Sequence, residues 1–315
     1  MRVRHQAGSA LLLVLFAIVL LTGLITATVA FVSVDVDEYG ALNKQFRARQ
    51  LAESGLAFGL NPQVQMQDTA LLNQQAPDGG RFHVVITSES TKLNINFILA
   101  NNRDDLLEDL FSRWGVAPKV SEAAIDGLRK YLQSDQNAQT GVMTTQSLAT
   151  PTPAGTTSTQ PGTAQTQMIT AQFTSVAEMG LVPEFAPIME AQPDWMNYFT
   201  IWGDGKIDVN LADADTISLV TGVSAATADQ FVKYLWGPDG KPFTLDDRTY
   251  NSMDEVRAGL GLSPDQFQLV QNYLTLDSEV DRIESTGIIA GYEKKIVVVT
   301  NRNQNPMNYL SWQEN

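Results

Sequence analysis

The sequence contains no cysteine. That excludes a disulfide framework, a thiolate metal site and thiol chemistry. Histidine is nearly as scarce. His5 and His83 are the only two, too few for an imidazole metal centre, and a nucleophile triad would have to depend on His83. Positive charge is short as well. The 21 Lys and Arg residues face 35 Asp and Glu, for a formal net charge of −14. Nucleic-acid binders usually carry a basic patch, so no nucleic-acid partner is expected.

Charge of either sign is missing from one long stretch. Ser9 to Val34 is uncharged over 26 positions. As a helix it would span about 39 Å, enough for a hydrocarbon core of about 30 Å. Arg2 and Arg4 precede it, and Asp35, Asp37 and Glu38 follow it. The positive-inside rule then puts the N-terminus in the cytoplasm and the bulk outside. The run is longer than a secretory signal and has no A-x-A-like site at its end. The small Gly8-Ser9 pair stands before the run instead. A cut there would remove residues 1–8 as a leader and keep 9–34 as a transmembrane helix.

Helical pattern continues over 35–62 until Asn61-Pro62 ends it. Tyr39, Leu42 and Phe46 share a face, as do Ala52, Leu56 and Leu60, with Arg49 and Gln50 interrupting the stripe. This outer half needs something to cover its apolar side. A sheet could do so. After the Asp78-Gly79-Gly80 turn signal, Phe82, Val84 and Ile86 alternate with polar or smaller residues, and Leu93, Ile95 and Phe97 do the same. Residues 78–98 are therefore predicted as a hairpin, the first part of an antiparallel sheet. Strands return over 276–315, around Ser278 to Ser285, Ile296 to Val299 and Met307 to Trp312. The fold class is α+β: a long helix packed on an antiparallel sheet.

Residues 99–275 read as a helical insertion. Asp104 to Trp114 and Val120 to Leu132 have helical spacing, while Gln136 to Met168 holds few large apolar residues and is predicted to be disordered. The insertion contains a repeat. "KLNIN" (Lys92–Asn96) resembles "KIDVN" (Lys206–Asn210), and "FTSVAEM" (Phe173–Met179) resembles "YNSMDEV" (Tyr250–Val256). The paired motifs start 81 residues apart in one copy and 44 in the other, and the excess approximates the Thr/Gln-rich tract. Two related units are implied, the first carrying an added loop.

Asn210 to Leu235 has the shape of a helix-hairpin-helix turning at Thr221-Gly222-Val223. Such hairpins can bind DNA phosphates through helix N-termini. Here Asp213, Asp215 and Asp229 surround it and Lys233 is the one nearby cation, a poor field for phosphate, so it is read as a packing module. Asp204, Asp208 and Asn210 in "WGDGKIDVN" are the candidates for calcium, without the spacing or terminal Glu of an EF-hand loop. Asp126, Asp135, Asp246 and Asp247 are left unassigned. The five tryptophans are read as core or interface. No serine has a suitably placed histidine and no carboxylate pair stands out, so the protein is not expected to be an enzyme.

These features together resemble the GspK minor pseudopilins of type II secretion systems, over nearly the whole chain. The resemblance rests on Gly8-Ser9 before "ALLLVLF", on "RARQLAESGLAFGL" (Arg47–Leu60), on "KLNIN", "FTSVAEM", "KIDVNLADADTISLV" and "YNSMDEV", and on the final strands. It implies that a prepilin peptidase cuts between Gly8 and Ser9 and that Ser9 is N-methylated. It implies a single-pass protein of the bacterial inner membrane, its bulk in the periplasm. There it would join GspI-, GspJ- and GspH-like minor pseudopilins and the major pseudopilin, start the pseudopilus at its tip and help export folded proteins. Ordinary pilin-like subunits carry Glu at the fifth mature position; here that position is Leu13. A tip subunit has no neighbour above it to supply a cation, so an apolar Leu13 marks the tip. The family's acidic pattern after its first Ile-x-Asp departs here, in "IDGLRKYLQSD". The alternative is a minor pilin of a type IV pilus or DNA-uptake system using the hairpin.

Overall fold

The computed structural model describes residues 7–140, 172–302, 304 and 306–315. They form two compact units. The first comprises residues up to 86, 283–299 and 309–315; the second comprises 87–282 and 300–308.

In the first unit a single helix, α1 (Ala7–Gly59), runs for 53 residues, about 80 Å at 1.5 Å per residue. The threonines within its apolar stretch are satisfied internally. The hydroxyls of Thr22, Thr26 and Thr28 donate to carbonyls one turn back, at 2.8, 2.8 and 2.9 Å. The helix stops before Asn61-Pro62, where Leu60 still donates to the Leu56 carbonyl at 2.8 Å. A short helix α2 (Thr69–Leu72) follows.

The sheet comprises β1 (Asn73–Gln75), β2 (Arg81–Ser88), β7 (Asp281–Ile289), β8 (Tyr292–Asn301) and β9 (Asn308–Glu314), in the order β1-β2-β7-β8-β9. β1 is antiparallel to β2, with Gln74 opposite Phe82. Ala290 and Gly291, both at positive φ, make the tight turn from β7 to β8. One side of the sheet lies on α1. Leu51, Ala52 and Leu56 are buried with Phe82, Val84, Ile86, Ile283, Ile296 and Val298. The approach is close at Gly287, where a Cβ would sit 2.0 Å from the Ala48 carbonyl oxygen. Ser285 uses the same proximity, its Oγ donating to the Ala52 carbonyl at 2.7 Å.

The hairpin predicted over 78–98 needs correcting. Its first strand is β2. Residues 93–97 do not form the second. Leu93–Asn94 is a two-residue strand, β3, which pairs in parallel with β4 (Phe199–Thr200) in the second unit. Ile95–Ala100 is a helix, α3, because the Asn94 side chain accepts from the Phe97 N–H and caps it. The alternation of Leu93, Ile95 and Phe97 is therefore a cap and a first helical turn. Three residues at period 2 cannot distinguish the two.

The second unit continues with α4 (Asp104–Arg113), α5 (Pro118–Thr140) and α6 (Ala186–Ala191) before β4. Then come β5 (Ile207–Asp208), α7 (Ala214–Thr221), α8 (Ala225–Leu235), α9 (Met253–Gly259), α10 (Pro264–Val270) and β6 (Leu274–Thr275). β5 and β6 pair in parallel, as β3 and β4 do. α5 runs five residues into the tract predicted to be disordered, so residues 136–140 are helical; 141–168 lie outside the described residues.

The two repeated segments fold alike. Each opens on a two-residue strand and closes on its parallel partner. In each, the last Asn of the first motif grips the first residue of the second motif. Phe173 N–H donates to Asn96 Oδ1 at 2.8 Å and Asn96 Nδ2 donates to the Phe173 carbonyl at 3.0 Å. The equivalent pair is Tyr250 with Asn210, at 2.8 and 3.2 Å. Both copies also turn between paired helices at a left-handed glycine, Gly115 (φ 79°) and Gly222 (φ 71°).

Candidate anchoring and assembly surfaces

Gly8 and Ser9 lie in the first turn of α1; residues 1–6 are outside the described residues. Leu11–Val29 is long and apolar enough to cross a membrane. Its side chains are open, with Leu13 69% exposed. Thus residues 11–29 form an apolar rod whose surface nothing among the described residues covers, as an N-terminal membrane anchor requires.

Beyond it, the two apolar stripes predicted on the outer half of α1 part company. Ala52 and Leu56 are buried on the sheet, and Leu60 is partly buried. Tyr39, Leu42 and Phe46 stay 74%, 53% and 58% exposed. Arg49, which in the sequence only interrupts the stripe, has a definite task. Its guanidinium holds the Glu314 carboxylate with two donors, each at 3.0 Å, and so ties α1 to β9. That hydrogen bond keeps the Glu314 carboxyl below its usual range. Arg47 binds Asp78 at 2.6 Å beside the β1–β2 turn. No sequence pattern points to either pairing, because each partner is distant along the chain.

In the second unit most of the basic side chains have local acidic partners. Glu89 is 1% exposed. It receives Arg282 Nε at 2.5 Å, Thr200 Oγ1 at 2.5 Å and Lys92 Nζ at 3.3 Å. Burial alone would raise its carboxyl pKa; the Lys92 and Arg282 charges and the two hydrogen bonds outweigh that, and the carboxyl is held below its ordinary value. Asp281 and Arg302 form a second buried pair at 2.7 Å.

The calcium candidates do not present a common set of free oxygens. Asp204 is exposed and pairs with Lys206 Nζ at 2.9 Å. Asp208 is 2% exposed and accepts the Asn210 N–H at 2.9 Å. Burial, then the charges of Asp277 and Asp281, push its carboxyl up to about 6, against the lowering by Asn210. Asn210 spends its amide on Tyr250 and on the Leu276 carbonyl. Asp246 and Asp247 shape the loop before Tyr250: Asp246 accepts from Thr244 Oγ1 and Asp239 N–H, Asp247 from the Phe243 and Thr244 N–H groups. Among the described residues no three His, Asp or Glu side chains gather around one point. The cations near the α7–α8 turn are also engaged. Lys233 pairs with Asp229 at 2.8 Å, and Arg113, from α4, donates to Ser218 Oγ at 3.1 Å.

No protein-family profile matches the chain, and no curated protein matches it either. A solved structure does. The chain is similar to one in the crystal structure of the GspK-GspI-GspJ complex from the enterotoxigenic Escherichia coli type 2 secretion system. The two share 15% sequence identity with a TM-score of 0.55, over 90% of this chain and 99% of that one. The fold is that of a GspK-like pseudopilin. At this identity the likeness is one of fold alone. Within this chain the architecture is held by contacts such as Arg49 on Glu314 and the paired Asn clamps.

Proposed function

We propose that this protein is a minor pseudopilin at the tip of a type II secretion pseudopilus. The observation that carries the reading is the GspK-like fold extending over nine-tenths of the chain. The open apolar rod of α1 supports it, and so does a helical unit too bulky to repeat along a thin fibre. On this reading prepilin peptidase cuts between Gly8 and Ser9 and Ser9 is N-methylated. Residues 9–34 hold the protein in the inner membrane with the bulk in the periplasm. The role is structural rather than catalytic: it starts the fibre and helps export folded proteins. The partners are GspI-, GspJ- and GspH-like minor pseudopilins and the major pseudopilin. The face of Tyr39, Leu42 and Phe46 is where a neighbouring pseudopilin helix would pack. Asp204, Asp208 and Asn210 serve the turn and the clamp.

The test has two arms. Mass spectrometry of the membrane-extracted protein should find Ser9 as a methylated N-terminus; an intact Met1 start in cells with active peptidase refutes the processing. Co-expression with the neighbouring pseudopilins should yield a stable complex. A chain that co-purifies with none of them, and whose deletion leaves secretion intact, is not a tip subunit.

A further inference from the structure

The second unit contains a cleft of about 560 Å³ between α4 and the α7–α8 pair. Of its lining residues, Leu110 and Leu219 are buried, which puts them at its floor, and Trp114, Tyr198 and Val223 are half-buried, which puts them at its walls. Trp114 meets Tyr198 edge to face at 5.0 Å, which fixes that wall. Two charges stand at the rim. Arg113 belongs to the structure, its guanidinium spanning from α4 to the Asp215 carbonyl at 3.4 Å and to Ser218 Oγ at 3.1 Å. The Asp215 carboxylate is exposed and takes part in no ion pair among the described residues. A cleft of this size, lined in near-equal parts by apolar side chains and by polar ones (Arg113, Asp215, Thr216, Ser218 and Ser224), can take a partner side chain that is apolar with a charged neighbour.

Charge indicates the sign of what enters. Residues 87–282 and 300–308 carry 26 acidic and 13 basic side chains, a net −13 out of −14 for the whole chain. The second unit therefore concentrates nearly all of the protein's negative field. Such a field steers cationic partners in and repels anionic ones. We propose that the cleft binds a segment of a partner protein carrying a leucine- or phenylalanine-sized side chain next to a lysine or arginine. The apolar side chain fills the floor between Leu110 and Leu219. The neighbouring cation lies over Asp215, its methylene stem along the Trp114 wall. The proposal rests on the second unit alone and holds whether or not the chain sits at a pseudopilus tip.

The test uses the full chain in nanodiscs of zwitterionic lipid, with empty discs as control. The probes are three fluorescein-labelled heptapeptides with the centres Lys-Leu-Lys, Lys-Ser-Lys and Glu-Leu-Glu, followed by anisotropy. Lys-Leu-Lys should bind at least tenfold more tightly than either other. Val223→Trp, which fills the cleft, should abolish that binding, and Asp215→Asn should weaken it several-fold. Ala225→Phe, at the mouth, provides a second blocking variant should Val223→Trp melt early. Equal binding of the three peptides, no binding of Lys-Leu-Lys, or full binding to a folded blocked variant would each overturn the proposal.

Discussion

Asn210 holds Tyr250 by both ends of its amide, accepting from the Tyr250 N–H and donating to the Tyr250 carbonyl, and its Nδ2 also reaches the Leu276 carbonyl at 3.0 Å. The residues bridged are 40 and 66 positions away. One side chain therefore fastens the start of the second repeat to its middle and its end. Asn210→Ala strands backbone groups that water cannot easily reach, so it should cost about 2–4 kcal/mol. Asn96→Ala, on Phe173, should do the same in the first repeat. Denaturant unfolding measures both. Losses under about 0.5 kcal/mol would show that the clamps are incidental.

Asp208 gives the second unit a pH dependence of unusual sign. Its folded carboxyl titrates at about 6, against about 3.9 for a free Asp. The folded state thus binds the proton more tightly, and stability falls as pH rises from about 4 to about 6; above that the full penalty applies. The magnitude is on the order of 2–3 kcal/mol, from 1.36 kcal/mol per pH unit. Asn94 holds the matching place in the first repeat, where its side chain caps α3 without a charge. Asp208→Asn should therefore flatten the stability profile between pH 4 and 6.5. A variant with the same slope as the parent would remove Asp208 as the cause.

Glu89 works in the opposite direction. Its carboxyl lies below the ordinary value because Lys92 and Arg282 overcome the cost of burial. Its contribution is present above the unfolded pKa and is lost as pH falls through the lower folded one. Glu89→Gln keeps the shape but removes the charge between two cations. Breaking one side of a buried ion pair typically costs about 3–5 kcal/mol. A fall of that order at pH 7, shrinking towards pH 3, is the expected outcome in thermal melts. A loss that stays constant with pH would point to packing instead.

Much of this architecture could be read from the residues, and the exceptions have physical causes. The β-branched run at Ile296–Val299 and the apolar spacing of α7 and α8 are long enough to fix their element type. Two-residue strands such as β3 and β5 are not, since alternation needs several residues to differ from a helical cap. Asn94 decided that case through a local bond to Phe97. The stripe of Tyr39, Leu42 and Phe46 looks like that of Ala52 and Leu56, but only the second has the sheet over it. Periodicity shows that a face is apolar and leaves open what covers it. Arg49, Arg47 and Glu89 were illegible because their partners are set by tertiary approach.

Gly287 offers a sharper test of the first unit. A Cβ there would come 2.0 Å from the Ala48 carbonyl oxygen and 2.5 Å from the Ala52 nitrogen. Both are backbone atoms and cannot swing aside as a flexible side chain could. Gly287→Val should therefore force α1 off the sheet and cost about 3 kcal/mol or more. Limited proteolysis within Arg47–Leu60 would report the displacement. Wild-type protection of that stretch would mean that β7 can yield at this position.

The exposed face of α1 separates folding from assembly. Leu42 and Phe46 are 53% and 58% exposed, so a charge there meets water in the free protein and should change its stability by less than about 0.5 kcal/mol. In a complex the same charge would have to be buried against a neighbouring helix, where an unpaired carboxylate is expensive. Leu42→Asp and Phe46→Asp should thus leave the melting of the isolated protein unchanged. They should also abolish co-purification with GspI- and GspJ-like subunits and reduce secretion in a complementation assay. Ala52→Asp, on the buried face, should instead unfold the first unit. If both exposed variants still assemble, the neighbours pack elsewhere, and the Tyr39–Phe46 face has no part in assembly.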